Sequence, residues 1–459
     1  MRAPLQFATA TSSFQIEGSL DVDGRGPSIW DAFCAEPGRI ADGSDGSLAC
    51  DSYRRWPEDL DLVAGLGADA YRFSIAWPRI QPTGSGAVES RGLDHYERLV
   101  DGLLAHDLDA HVTLYHWDLP QALQDAGGWP ARETALRFAD YAGIVAERLG
   151  DRVARWATIN EPWVSAFEGH ALGAHAPGHR DPSEAFRSAH HLLLAHALGA
   201  QAVRSAVPGS DVGIVLNLTS VIAEDELVME VSERIDAQHN DLWISALRDG
   251  RYPDLAVETG PELADPALVR PADLEAIKGS AAWLGVNYYS PLRVAAAGKG
   301  VGGPGQEPEA FPGVGEYSPT PRPPLTAMGW EVDPSGLSDL LERLRMWDPS
   351  MPLHITENGA AYPDATRKRD GTIDDQDRIE YVRRHLGVID AARESGIDVR
   401  TYTLWSLLDN FEWARGLSQR FGIVEVDPVT QDRRPKASYR WFADEIARRR
   451  ATEEPARGS

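Results

Sequence analysis

Leu353-His354-Ile355-Thr356-Glu357-Asn358-Gly359 reads as a strand that ends on an acid. Apolar and β-branched residues lead into Glu357, and Asn358-Gly359 breaks the run, so the glutamate falls at the carboxyl end of a short buried strand. Trp156-Ala157-Thr158-Ile159-Asn160-Glu161-Pro162 has the same form, with Glu161 at its end and a proline as the stop. A carboxylate capping the following helix would account for either stretch alone. Two of them in one chain are what a barrel enzyme needs to bring paired carboxylates together over its mouth.

Outward from these two, the strand pattern recurs at 7–14, 70–76, 110–116, 155–160, 212–217, 283–289, 353–357 and 399–405. Amphipathic stretches separate the strands, at 57–66, 96–106, 132–149, 182–207, 227–248, 335–344 and 376–395. Alternation of this kind predicts an α/β fold in which a parallel sheet closes into a (β/α)8 TIM barrel. An open doubly wound sheet is the competitor, but no strand is followed by a glycine fingerprint for phosphate. No linker separates the units, so residues 1–459 are expected to form a single catalytic domain. Residues 291–334 break the rhythm: GKGVGGPGQEPEAFPGVGEYSPTPRPP is dense in Gly and Pro and has no period. Following the sixth strand, it is expected as a long loop on the catalytic face. The tail from 448 is expected to fray.

Composition narrows the function. A net charge of -25 and a pI near 4.9 argue against a nucleic-acid partner, whose phosphates need clustered Lys and Arg. No apolar run follows Met1-Arg2 and no apolar span reaches membrane length, so neither a signal peptide nor a membrane partner is expected. Cys34 and Cys50 are the only cysteines, which suits reduced thiols in a cytoplasmic protein. Many of the 14 tryptophans stand beside polar residues, as in Trp117-Asp118 and Glu412-Trp413. Core packing is the default role for tryptophan, but aromatic faces next to carboxylates and amides also hold sugar rings.

The active sites of such barrels lie at the carboxyl ends of the strands. Here those ends offer Gln15, Arg72, His116, Asn160 with Glu161, Asn217, Tyr289, Glu357 and Trp405. Hydrogen-bonding groups around a tryptophan suit a polyhydroxylated ring. At this point the sequence resembles glycoside hydrolase family 1, the β-glucosidase-type retaining glycosidases. The resemblance runs from about Phe7 to Trp441 and is carried by SFQIEG (13–18), YRFSIAWPRI (71–80), YHWDLP (115–120), TINEPW (158–163), GVNYYS (285–290), ITENG (355–359) and LWSLLDNFEW (404–413).

The resemblance implies a (β/α)8 fold and cofactor-free, metal-free hydrolysis of a small β-glycoside. By motif position, Glu161 is similar to the family's general acid/base and Glu357 to its nucleophile. Arg72 and Tyr289 match the partners that keep the nucleophile ionised. Asn160 matches the ligand of the sugar 2-hydroxyl. Gln15, His116 and Glu412 resemble the other ligands of the glycone (the sugar that is transferred), with Trp405 as platform, Trp413 beside it, and Asn217 at its strand tip. On the leaving-group (aglycone) side, Trp330 matches the family's aromatic and His175 lies on the adjoining loop. Glu412, in Phe411-Glu412-Trp413, stands where the family's 6-phospho-glycosidases carry a small residue, which favours unphosphorylated sugars.

The chain departs from the family where Ala49-Cys50-Asp51-Ser52-Tyr53-Arg54-Arg55-Trp56 lacks two usual histidines, where Phe7-Ala8 replaces Trp-Gly, and where Leu417 replaces an aromatic. His170, His175 and His179 fit no common zinc spacing, and no nearby carboxylate completes a shell. The 299–305 segment resembles a phosphate loop only in glycine content. The reading is thus a retaining β-glucosidase with some β-galactosidase or β-fucosidase activity. Its alternatives are a transglycosylase on the same site, a 6-phospho-β-glycosidase and a non-catalytic sugar-binding barrel.

Overall fold

The computed structural model describes residues 3–298 and 302–453. Eight strands close into a barrel: β1 (Gln6–Ala10), β2 (Ala70–Ser74), β3 (Asp109–Tyr115), β4 (Val153–Asn160), β5 (Val212–Asn217), β6 (Leu284–Asn287), β7 (Leu353–Asn358) and β8 (Val399–Trp405). Each strand pairs in parallel with its sequence neighbours, and β8 returns to β1 through Gln6↔Thr401 and Ala10↔Trp405. Parallel strands need a crossover at every step, and the amphipathic stretches supply it as helices. Strands walled by helices outside and side chains inside are buried on both faces, as all five residues of β2 are.

The barrel is filled, and its filling is polar. At its floor Arg155 Nη1 meets His111 Nε2 at 3.2 Å, and His354 Nδ1 meets Thr401 Oγ1 at 2.9 Å. Higher up, Arg72 spans the interior to reach Thr113, Asn160 and Glu357. The apolar core lies in the layer between strands and helices. There Arg132–Leu149 packs along Pro182–Ala206 so closely that a Cβ at Gly199 would stand 2.6 Å from the Phe138 ring.

Ladder irregularities fall beside both strand-end glutamates. The β4–β5 register shifts between Ala157 and Asn160, and the β6–β7 register between Ile355 and Glu357. Such shifts end regular pairing and re-aim the side chains that follow.

Several expected boundaries change. The first strand, expected over 7–14, stops at Ala10, and Ser13–Ile16 is a helical turn. The helix expected over 227–248 is three pieces, Met229–Asp236, a wide π-turn at Ala237–Asp241 and Leu242–Asp249. The 291–334 loop is partly a sheet: Leu292–Ala295 pairs with Val221–Ala223 and with Ser318–Pro319. Arg293 ties its base to Glu331 at 2.8 Å and Asp333 at 3.1 Å, contacts that composition alone does not reveal. Three residues of the glycine-rich 299–305 stretch, 299–301, lie outside the described residues. The tail does not fray at 448, since the last helix runs Ala437–Glu453. Among the described residues no helix is long and apolar enough to cross a membrane.

Candidate active site

A cavity of about 490 Å³ opens at the carboxyl ends of the barrel strands, in the size range of small-ligand sites. Glu161, Glu357, His116, Trp405, Glu412 and Trp413 all line it. So do Asn217, Tyr289, Trp330 and His175. The expected residues Arg72, Asn160 and Gln15 stand directly behind this wall and hold it.

The two strand-end glutamates are held differently. Glu357 Oε1 accepts from Arg72 Nη1 at 2.6 Å, and its Oε2 accepts from the Tyr289 hydroxyl at 2.7 Å. Both side chains of the Arg72–Glu357 pair are only 4% exposed. Such a pair lasts only when its remaining hydrogen bonds are made, and Arg72 also donates to Thr356 O at 3.1 Å and Asn160 Oδ1 at 2.7 Å. Glu161 makes no ion pair among the described residues, and Arg72 acts on it only through space. Its Oε1 accepts from Asn287 Nδ2 at 2.6 Å, and its backbone sits at φ 49. Burial first, then the charge of Glu357, pushes the Glu161 carboxyl well above the usual range, against the Asn287 hydrogen bond. Non-glycine residues at positive φ are strained and gather at functional sites; Trp117 and Trp413 at this cavity are two more.

Asn287 joins the two halves. While donating to Glu161 it accepts from Thr356 Oγ1 at 2.7 Å, and its amide also reaches Asn160 Oδ1 at 3.1 Å. Asn160 in turn donates to His116 Nε2 at 3.2 Å, a role that suits an imidazole held neutral by burial and by Arg72. The His116 ring stacks near Trp405 with centroids 5.9 Å apart. Beside them Gln15 donates to Glu412 Oε2 at 3.4 Å. Burial and the charge of Glu357 push Glu412 up to about 8. Trp413 both lines the cavity and packs on the wall, stacked on Phe14 at 6.0 Å.

Sequence reasoning misses Asn287, because the apolar pattern of the sixth strand runs on to Tyr289 while the strand itself ends at Asn287. It also missed Glu168. This buried carboxyl lies inside the π-helix Val164–Leu172 and pairs with His175 Nε2 at 3.2 Å. Burial and Glu307 push Glu168 up to about 8, and burial pulls His175 down to about 3. Leu417 is exposed, while Phe421 lines the cavity and packs on Tyr289 at 6.0 Å and Trp330 at 6.1 Å.

The expectation that no carboxylate stands near the histidine cluster is corrected. His179 Nδ1 meets Glu184 Oε2 at 2.6 Å, and with His170 they bring ligand atoms within 4.8 Å of one another. It is the one such group among the described residues, and none of the three lines the cavity.

Residues 1–451 match the family described as Glycosyl hydrolase family 1. The chain belongs to glycoside hydrolase family 1. It is 43% identical over 444 residues to a β-glucosidase of an Agrobacterium species, covering 95% of this chain and 93% of that one. A bifunctional β-D-glucosidase/β-D-fucosidase of Bifidobacterium breve is 44% identical, covering 96% and 97%. The solved β-glucosidase of Thermotoga maritima in complex with azafagomine superposes with a TM-score of 0.90 at 41% identity, covering 98% of this chain and 99% of that one. As a family 1 member the chain is a glycoside hydrolase, and a retaining mechanism is general to the family.

Proposed function

We propose that this family 1 glycoside hydrolase removes terminal non-reducing β-D-glucosyl residues through a covalent glycosyl-enzyme, with Glu357 as nucleophile and Glu161 as acid/base. The observation that carries the assignment is the contrast between the two carboxyls: one is bonded to Arg72 and Tyr289, the other is bonded to the neutral Asn287 amide and is pushed up. Retention needs one carboxylate and one carboxylic acid, about 5–5.5 Å apart in general.

In the first step a Glu357 oxygen bonds to the anomeric carbon while the C–O bond to the leaving group breaks. Glu161 gives its proton to the departing oxygen. The negative charge beside Glu161 is then gone, its pKa falls, and it takes a proton from water, whose oxygen attacks the anomeric carbon and frees Glu357. Asn160, held between Arg72 and Asn287, serves the sugar 2-hydroxyl, where contacts strengthen in the transition state. Gln15, His116 and Glu412 serve the other glycone hydroxyls over Trp405 and Trp413, Asn217 lines the same cavity as a substrate contact, and Trp330 and His175 face the leaving group. The burial and charge that raise Glu412 equally oppose a phosphate on the sugar.

Turnover of β-fucosides and β-galactosides belongs to the same proposal, supported by the bifunctional relative. So do two further readings. The chain acts as one catalytic domain, supported by a barrel that runs from Gln6 to Trp405. It works in the cytoplasm, supported by two unpaired cysteines, and on glucan fragments, supported by a relative named 1,4-β-D-glucan glucohydrolase. The test is proton NMR of the first sugar released from p-nitrophenyl β-glucoside. β-Glucose should appear before mutarotation, and α-glucose appearing first would end the reading.

A further inference from the structure

Outside the catalytic cavity, the segment from Val164 to Glu184 brings three ligand-type side chains to one point. His170 lies on the π-helix Val164–Leu172, His179 on the loop that follows, and Glu184 on the first turn of the helix Pro182–Ala206. One ligand atom from each lies within 4.8 Å of the other two, and no other such group occurs among the described residues.

The tautomer of His170 is fixed by its neighbour. Its Nδ1 stands 2.9 Å from the Ser165 carbonyl oxygen, which can only accept, so Nδ1 carries the proton. Nε2 is left with a lone pair, buried and without a hydrogen-bond partner among the described residues. Burial pulls the ring down to about 4, which keeps it neutral. A neutral imidazole whose other nitrogen donates to a backbone carbonyl is the arrangement that orients a metal-binding histidine. His196, His354 and His385 also keep an unpartnered buried nitrogen, but none of them belongs to such a group.

What His170 faces completes the set. The His179 ring stands edge-on to it, with centroids 5.5 Å apart and planes at 88°. Edge-on rings alone would be ordinary packing. His179, however, turns its Nδ1 to Glu184 Oε2 at 2.6 Å, so a carboxylate joins the pair. The helix cap sets Glu184 in place, since Asp181 Oδ1 accepts from the backbone N–H of Ser183 at 2.9 Å and of Glu184 at 3.4 Å. That cap also meets the positive end of the helix, which would otherwise oppose a cation.

The donors select the ion. Imidazole nitrogens suit zinc and its transition-metal neighbours, whereas calcium and magnesium take oxygen ligands. Two histidines and one carboxylate leave a fourth position to water. The side chains of His179 and Glu184 are 42% and 33% exposed, so an ion reaches them from solvent.

We infer that His170 Nε2, His179 and Glu184 form a site for one divalent transition-metal ion of the zinc type, which clamps the 164–184 segment to the helix that follows it. The ion replaces the proton between His179 and Glu184 and uses the lone pair of His170. The same segment carries Glu168 and His175 to the catalytic cavity. The ion therefore braces that wall from outside, through three ligands that do not line the cavity.

The test uses the full chain without a histidine tag, stripped with a chelator and dialysed. Calorimetric titration with zinc chloride should show one ion bound per chain. Saturating zinc should raise Tm by about 2–4 °C. His179→Ala and Glu184→Gln change partly exposed side chains and leave the core intact. Each should weaken binding by about 10–100-fold and remove the rise in Tm. Calcium chloride in place of zinc should give neither binding nor shift. Absence of saturable zinc binding in the wild type, or unchanged affinity in either variant, overturns the site. Calcium binding as tight as zinc binding overturns it too.

Discussion

The floor and the mouth of the cavity are built on different terms. On the floor, Arg72, Asn160, Asn287 and Glu357 take their partners from one another across four strands, and the carboxylates are placed before any substrate arrives. At the mouth, Glu307 and Gln419 each keep an oxygen with no partner among the described residues, and Arg415 stands exposed in the 3-10 turn Trp413–Ser418. Strand register fixes the first region, and the turns of residues 302–334 and 412–421 fix the second. Transition-state stabilisation needs groups already in place. Choice among leaving groups needs groups free to bind them. The difference teaches that chemistry and selectivity reside in separate parts of this barrel.

The hardest blow to the floor is Arg72→Met. It removes the cation from a buried ion pair and leaves Glu357 with Tyr289 alone. Loss of a preorganised electrostatic partner should lower kcat on dinitrophenyl β-glucoside by about 10²–10³. A loss of a few-fold in a folded variant would mean the floor is no more preorganised than the mouth.

Asn287→Ala should act more mildly and on the pH profile. The Asn287 amide favours ionised Glu161 by hydrogen bonding, so its loss raises that carboxyl further. Glu161 must be protonated to release the leaving group, so the basic limb of kcat/KM should move to higher pH. The value near neutrality should fall about tenfold, as hydrogen bonds to charged groups imply. A limb that moves to lower pH contradicts the role given to Asn287.

Glu168→Gln tests the mouth, and its effect should be the smallest. Glu168 titrates near 8 in the folded chain, above its ordinary 4.5. Its contribution to stability is therefore fully present below about pH 4.5 and is lost as the pH rises through 8. Glutamine removes that loss, so Tm at pH 9 should rise by about 1–3 °C over the wild type, with little change at pH 4. A larger gain at pH 4 than at pH 9 would contradict this.

The same division governs what can be read from the sequence. Strand periodicity gave Val212–Asn217 and Val399–Trp405 their observed bounds, and two acids at strand ends marked the cavity. Asn287 escapes because the pattern of Trp283–Tyr289 continues two residues past the strand's end and puts its tip at Tyr289. Glu168 escaped for another reason. It sits in Val164-Ser165-Ala166-Phe167-Glu168-Gly169-His170, where nothing local distinguishes a π-turn aiming a carboxyl at a cavity from a helix facing solvent. Glu307 and Gln419 are brought to one recess by loops whose course depends on distant ties such as Arg293 to Glu331, and no period records those. Local pattern writes the floor, and long-range contacts write the mouth.

The central claim is the division of labour between Glu357 and Glu161, and azide rescue tests it most directly. Glu357→Ala and Glu161→Ala are each supplied with dinitrophenyl β-glucoside and azide, and the anomeric configuration of the glycosyl azide is read from its proton NMR coupling. With Glu357 removed, azide should fill the vacated space and give the α-glycosyl azide. With Glu161 removed, the glycosyl-enzyme still forms with this leaving group, and azide should release the β-glycosyl azide. The reverse pair of configurations would show that the two glutamates exchange these roles, and absence of rescue in both folded variants would contradict the covalent mechanism itself.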